Sequence, residues 1–199
     1  MKTKIFTEIN TPRLKIRPIS LSDTELYFAS EQASIKELEP HWSWVKEDKS
    51  VEDIKLFINE AIESNTRIKP PEMYFAVFTK ENKFLGTIWY FEINWFVPTF
   101  EIAYWLDTRA AGRGYMAEAV NALSRASFIL YGAKRIQIKI ATYNQKSIAL
   151  AKRLGFQLEG EMINYFINFV SDKISNGYLF SCTNIEMLPA LDININYSN

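Results

Sequence analysis

One cysteine, Cys182, stands in 199 residues, so no intrachain disulfide can form and a cysteine-rich metal site is excluded. That scarcity fits a reducing compartment. Charge of one sign is also missing: 23 basic residues balance 23 acidic ones, and the long-range field of a generic nucleic-acid binder is absent. Long apolar runs are lacking as well. The opening stretch MKTKIFTEINTPRLKIR has none long enough for a signal peptide, and no later segment approaches a membrane span. Internal repeats and low-complexity linkers do not occur. Together these absences describe a soluble cytoplasmic protein with no membrane partner and no direct nucleic-acid partner.

What is present is an ordinary globular balance, 48% hydrophobic and 23% charged, sufficient for one large α/β domain. That domain is expected over residues 1–187, with the asparagine-rich stretch 188–199 as a flexible tail. Leu14, Ile16 and Pro18 alternate with Arg13, Lys15 and Arg17, which predicts a half-buried strand over about 12 to 18. Ser22 to Glu25 and Ser50 to Asp53 both have the capping-box form that opens a helix. Between the two helices lies Glu39-Pro40-His41-Trp42-Ser43-Trp44, and Pro70-Pro71 closes the helical part. Three β-rich runs, 73–79, 84–93 and 99–106, then predict an antiparallel meander. Met116, Val120, Leu123, Ser127 and Leu130 then fall at helical spacing, which predicts a helix over about 113 to 131 with Gly132 as a stop. A strand over 135–141, a helix over 145–154 ended by Gly155 and a strand from Phe156 complete the order. Such alternation implies right-handed crossovers and parallel pairing in the second half.

The sharpest local feature is Asp107-Thr108-Arg109-Ala110-Ala111-Gly112-Arg113-Gly114-Tyr115, placed between a strand and a helix. A loop feeding a helix N-terminus presents free backbone amides and the positive end of the dipole, and its glycines let an anion approach closely. Phosphate suits that position. A tight turn with strain-relieving glycines would look the same in isolation.

Further motifs remove that ambiguity. Arg109-x-x-Gly112-x-Gly114, after Glu101-Ile102-Ala103-Tyr104-Trp105-Leu106 and before Asn144-x-x-Ser147 and Leu154-Gly155-Phe156-x-x-x-Gly160, resembles the GNAT superfamily of N-acetyltransferases. Thr11-x-Arg13-Leu14-x-x-Arg17-Pro18 is similar to the opening of the RimJ/RimL-like branch, the ribosomal-protein N-terminal acetyltransferases, and extends the match from residue 11 to about 160. The resemblance implies a mixed, mostly antiparallel sheet of roughly six to seven strands flanked by about four helices, with a splayed parallel pair holding the coenzyme. It implies acetyl-CoA as donor, no metal, a primary amine as acceptor, and direct transfer without a covalent acyl-enzyme.

Site roles follow from the same resemblance. Arg109, Gly112, Arg113, Gly114, Tyr115 and Met116 would cradle the pyrophosphate of coenzyme A. In the family the strand matching 99–106 carries a bulge and splays from the next strand, so Leu106 and its neighbours would pair with the pantetheine arm through backbone and polarise the thioester carbonyl. Asn144 and Ser147 would face the pantetheine and the sulfur, with Ser147 as a proton donor to the thiolate, because the position where many members have a tyrosine is Ala151. Asn144 could equally be a helix cap. Glu101 is the first candidate base, and a paired surface carboxylate is its alternative. His41 is a second candidate base, and Trp42 and Trp44 would line the acceptor pocket beside it.

The chain departs from the branch pattern at Ala117, a frequent threonine, and at Asn164 and Asn176, where an arginine and an aspartate are usual. These departures put acceptor recognition in doubt. A protein N-terminal α-amine of the ribosomal-protein type competes with a small amine, an antibiotic or a peptide antibiotic, and a non-catalytic acyl-CoA-binding module stays open. A P-loop kinase and a dinucleotide dehydrogenase are excluded, since both fingerprints are absent. Monomer and homodimer are both compatible with the sequence.

Overall fold

Alternating and near-continuous apolar runs give the chain its strands, and the computed structural model describes them over residues 6–197. In chain order the elements are β1 (Phe6–Asn10), β2 (Leu14–Pro18), α1 (Thr24–Gln32), α2 (Ile35–Leu38), α3 (Val51–Thr66), β3 (Met73–Thr79), β4 (Phe84–Asn94), β5 (Thr99–Leu106), α4 (Tyr115–Tyr131), β6 (Arg135–Ala141), α5 (Gln145–Arg153), β7 (Gln157–Asn168), β8 (Lys173–Cys182) and β9 (Asn194–Tyr197). The strands form one sheet in the order β7-β8-β6-β5-β4-β3-β2-β1-β9. Every pairing is antiparallel except β5 with β6. The mixed, mostly antiparallel sheet agrees with the resemblance.

Two apolar layers cover the sheet. Phe100 and Ile102 of β5 join α4 residues such as Val120 and Leu123 in one cluster. Ala103 and Trp105, of opposite parity, join Tyr27, Ile54 and Ile58 from α1 and α3 in the other. Glu101 shares that second parity, which decides which side of the sheet its carboxyl reaches.

Several expectations are corrected. Nine strands are present among the described residues instead of six to seven, because β1, β8 and β9 carry weak local signals. The stretch from Leu188 is not a loose tail within the described residues: Leu188 is buried, and Asn194–Tyr197 pairs antiparallel with β1. Its isoleucines, Ile193 and Ile195, pack on the core, while Arg125 and Asn121 donate to the Pro189 carbonyl at 2.7 and 2.9 Å. Ser198 and Asn199 of that stretch lie outside the described residues. Parallel pairing is confined to β5 and β6, because β8 inserts antiparallel between β6 and β7. The first capping box forms at Ser20 and Asp23 instead of Ser22 and Glu25, since Arg17 fixes the Asp23 carboxylate with contacts of 2.6 and 2.8 Å. The second forms as read, with Asp53 accepting from the Ser50 amide at 2.8 Å.

Gly86 sets the end of β5. It pairs with Leu106 at φ +142°, and a Cβ there would stand 2.2 Å from the Trp105 carbonyl oxygen. Backbone cannot yield as a side chain can, so Gly86→Ala is expected to destabilise the fold by about 3 kcal/mol. A denaturant titration checks this, and an unchanged midpoint would contradict it.

Candidate active site

The cradle follows directly from the end of β5. Asp107, almost fully buried, accepts from the Arg109 amide at 2.9 Å and from the Arg109 side chain at 2.6 Å, which turns the chain into a short 3-10 segment over Thr108–Ala110. Burial raises the Asp107 carboxyl, but hydrogen bonds from Arg109 outweigh it and leave the group below its ordinary value. Ser34, after α1, accepts from the Thr108 amide at 2.9 Å and ties the loop to the helical layer. Gly112 and Gly114 follow at φ +78° and +75°, a left-handed conformation that glycine adopts without strain. Gly114 is the N-cap of α4 and offers no side chain to its free amides. Arg113 is exposed, Tyr115 half-buried, and Met116 buried in the core, so Met116 can reach an anion only through its backbone.

Upstream of the cradle the sheet opens. β5 and β6 pair only from Thr99↔Arg135 to Glu101↔Gln137, so residues 102–106 of β5 have no ladder partner on that side. This gap has room for an extended arm to pair with backbone. The bulge expected on β5 lies instead on β4, between Phe91 and Asn94, with Glu92 at φ +49°. β5 stays regular from Glu101 to Leu106, and the extra residue of β4 turns Glu92 toward β6.

Glu101 sits at the point where the strands part. It is 2% exposed, and its Oε2 accepts from Gln137 Nε2 at 2.8 Å and pairs with Lys139 Nζ at 2.9 Å. Burial pushes its carboxyl up, while Lys139 and Gln137 pull it down; the net direction is upward. Lys139 also meets Glu92 Oε2 at 2.8 Å and stands over the Tyr165 ring. Burial would lower its ammonium, but the two carboxylates more than offset this. A buried carboxylate raised by desolvation, at the mouth of a gap, is a stronger base than an exposed one.

On the other side of the gap, Asn144 Oδ1 accepts from the Ser147 amide at 3.1 Å and so caps α5. Ser147 is half-buried. Tyr104, of β5, is half-buried with its hydroxyl out of solvent, and desolvation pushes that hydroxyl up to about 12 while the Ser147 hydroxyl pulls it the other way. Ala151 is buried in the core, where it brings no proton donor.

The segment after α2 packs against the turn between β7 and β8. The Pro40 carbonyl accepts from the Tyr143 hydroxyl at 2.9 Å and from the Phe169 amide at 3.2 Å, joining this segment to the β7–β8 hairpin. His41 stacks on Tyr143 with centroids 5.2 Å apart. Burial, then Lys146, lowers the His41 imidazole, which keeps it neutral at pH 7. Trp42 packs 5.4 Å from Trp89 and 5.8 Å from Trp44, and Lys49 covers Trp44 at 4.9 Å. Asn164 and Asn176 meet across the hairpin, the Asn164 amide donating to Asn176 Oδ1 at 3.1 Å.

The structure thus brings Glu101 and the cradle residues to one gap, with Leu106 at its far end and Asn144 and Ser147 on the helix after β6. The segment of His41, Trp42 and Trp44 lies on the Glu101 side of the sheet through its packing on Trp89. Sequence reading missed Gln137, Lys139, Glu92 and Tyr143. Alternation on β6 puts Gln137 and Lys139 on one face, but only the parallel register with Glu101 reveals their partner.

Comparison with known proteins agrees with this geometry. A family model described as an acetyltransferase (GNAT) domain matches residues 13–157. A ribosomal-protein-serine acetyltransferase of Escherichia coli (strain K12) is 36% identical over 86 residues, 43% of this chain and 48% of that one. The chain therefore matches about half the length of that relative. RimL, a ribosomal-protein α-N-acetyltransferase solved with coenzyme A, superposes with a TM-score of 0.79 at 22% identity, over 88% of this chain and 96% of that one. The microcin self-immunity acetyltransferase MccE, solved with acetyl-CoA and AMP, has the same TM-score and identity over 87% and 93%. At such identity the two structures share the fold. Among the described residues no helix is long and apolar enough to cross a membrane, and no cluster of metal-ligating side chains occurs.

Proposed function

The chain belongs to the GNAT acetyltransferase family, and on that premise we propose that it acetylates a protein N-terminal α-amine of the ribosomal-protein type, with acetyl-CoA as donor. The observation that carries the reading is the gap between β5 and β6, which ends in the glycine cradle at one end and at buried Glu101 at the other. The cradle fits a pyrophosphate: its glycines leave the backbone accessible, and a Cβ on Gly112 would meet nothing within 4 Å.

Each residue then has a step. Glu101 takes the proton of the attacking amine, directly or through one water, at Oε1, the oxygen that neither Gln137 nor Lys139 contacts. Backbone amides of β5 face the carbonyl oxygen and stabilise the charge that develops there. Ser147 returns a proton to the departing thiolate; a thiol titrates near ~8.5, so a weak donor suffices. An α-amine, titrating near ~7.7 to 8.0, is partly free at neutral pH, whereas a lysine near ~10.4 is almost wholly charged. One moderately basic carboxylate suits the former.

Small amines and peptide antibiotics are the competing acceptors. The bridge from Pro40 to Tyr143 and Phe169 favours them, since it narrows the acceptor side. Incubation with acetyl-CoA and a panel of N-terminal peptides, polyamines and aminoglycosides, with free thiol monitored, separates the cases. Thiol release with peptides, lost when their N-terminus is blocked, is expected. Release with small amines alone would move the assignment, and no release with any acceptor would indicate a binding module. Ser147→Ala is expected to lower kcat about tenfold with KM for acetyl-CoA nearly unchanged, because water can replace a hydroxyl donor. Steady-state kinetics measures both, and a rise in KM alone would make Ser147 a binding residue.

A further inference from the structure

Two features have no task in the chemistry above: Thr11-x-Arg13 at the head of β2 and Glu118 in the first turn of α4. The fold joins them. Thr11 Oγ1 donates to Glu118 Oε1 at 2.6 Å, the Arg13 amide donates to the same oxygen at 3.1 Å, and Arg13 Nε lies 2.5 Å from Oε2. The Glu118 side chain is only 8% exposed, against 47% for Arg13. From this anchor the guanidinium turns toward the cradle. One terminal nitrogen donates to the Arg113 carbonyl at 2.9 Å, and the other lies 3.6 Å from the place a Cβ on Gly114 would occupy. Its plane also covers the Tyr115 ring at 4.9 Å.

The electrostatics of this arrangement pose a problem that Arg13 solves. A carboxylate in a first helical turn favours the helix, yet it cancels the positive end that an anionic ligand needs. Glu118 is such a group, held behind the loop that receives the pyrophosphate. Arg109 is already paired with Asp107, so these two contribute little net charge to the cradle. Arg113 then stands against Glu118 alone unless a further cation is present. Arg13 is that cation, and one of its terminal nitrogens also donates to the carbonyl of the Arg113–Gly114 peptide at the helix start.

We propose that Arg13 is a positioning residue for coenzyme binding: it neutralises Glu118 beneath the cradle and holds the Arg113–Gly114 peptide in the anion-receiving geometry. The inference rests on the donor-site reading above. It differs from a purely mechanical clamp in one respect. If charge is what matters, removing Glu118 as well should undo the damage of removing Arg13, although still more hydrogen bonds are lost.

Calorimetric titration of coenzyme A into the wild type, Arg13→Gln and the double variant Arg13→Gln/Glu118→Gln tests this, with thermal unfolding followed in parallel. Arg13→Gln is expected to weaken binding about tenfold, with KM for acetyl-CoA raised and kcat at saturation retained. The double variant is expected to recover most of the loss. Arg13→Lys, which keeps the charge, should stay within about threefold of the wild type and serves if Arg13→Gln does not fold. Binding by the double variant as weak as by Arg13→Gln, or a tenfold loss in Arg13→Lys, would overturn the electrostatic role. Equal binding by the wild type and Arg13→Gln would overturn the inference while sparing the donor site. A wild type that binds no coenzyme A would sink the donor-site reading and this inference with it.

Discussion

Gly114→Asp is expected to abolish coenzyme binding while leaving the protein folded. Gly114 caps α4 at φ +75° and ψ +7°, with the free amides of the helix start before it. An aspartate costs roughly 1 kcal/mol in that left-handed conformation, and a capping interaction at a helix start returns about as much. Stability is therefore expected to change by less than ~1 kcal/mol. Binding behaves differently, because the new carboxylate occupies the space and the amides that a pyrophosphate would use and repels what remains of it. A loss of at least about a hundredfold in affinity, or ~2.8 kcal/mol, is expected by calorimetry with coenzyme A. Unchanged affinity in a folded variant would remove the Arg109–Tyr115 loop from the donor site.

Glu101→Gln should cost about 10²-fold or more in kcat/KM if this carboxylate takes the amine proton, with little change in coenzyme affinity. The pH profile gives the sharper result. A base must be deprotonated, so the wild type is expected to lose activity as pH falls through the Glu101 titration. Burial raises that titration above the ordinary carboxylate value, and Lys139 and Gln137 restrain the rise. The acceptor α-amine, near ~7.7 to 8.0, contributes an acidic limb of its own, so in Glu101→Gln only the limb that belongs to the carboxylate should disappear. In Lys139→Gln, with burial less opposed, it should move to higher pH. The same raised value has a consequence for folding: it favours the protonated folded form, so its contribution to stability is present below the ordinary carboxylate range and is lost as pH rises through the folded value. A profile in Glu101→Gln that keeps both limbs would remove Glu101 as the base.

The meander from Met73 to Leu106, the helix α4 with Gly132 at its end, and α5 before Gly155 were all legible, since each rests on periodicity and on stop signals within a few residues. β8 escaped notice because Lys173–Cys182 has little alternation, and most of its pairing surface is supplied by β6 and β7. β9 was hidden by the asparagines that separate its isoleucines. Its place against β1 depends on a strand at the opposite end of the chain. The bulge was expected on β5 and occurs on β4, a choice that lies in the register between two strands and in neither strand's composition.

The cradle is the part of the site that the sequence determined by itself. A strand end, an aspartate that caps the next turn, two glycines and a helix start are consecutive in the chain, and local backbone geometry alone leaves the amides of the helix start free, as the proposed anion site requires. The surroundings of that loop were decided only by tertiary structure. Arg13 reaches Glu118 across 105 positions of sequence, Gln137 reaches Glu101 across 36, and Tyr143 meets the Pro40 carbonyl across 103. Such contacts depend on strand order and register, which set whether a carboxylate at the gap is paired, raised or free. The donor is consequently readable from a few adjacent residues. The proposed acceptor side is assembled from distant ones, and the surroundings of Glu101 appear only once the sheet has closed.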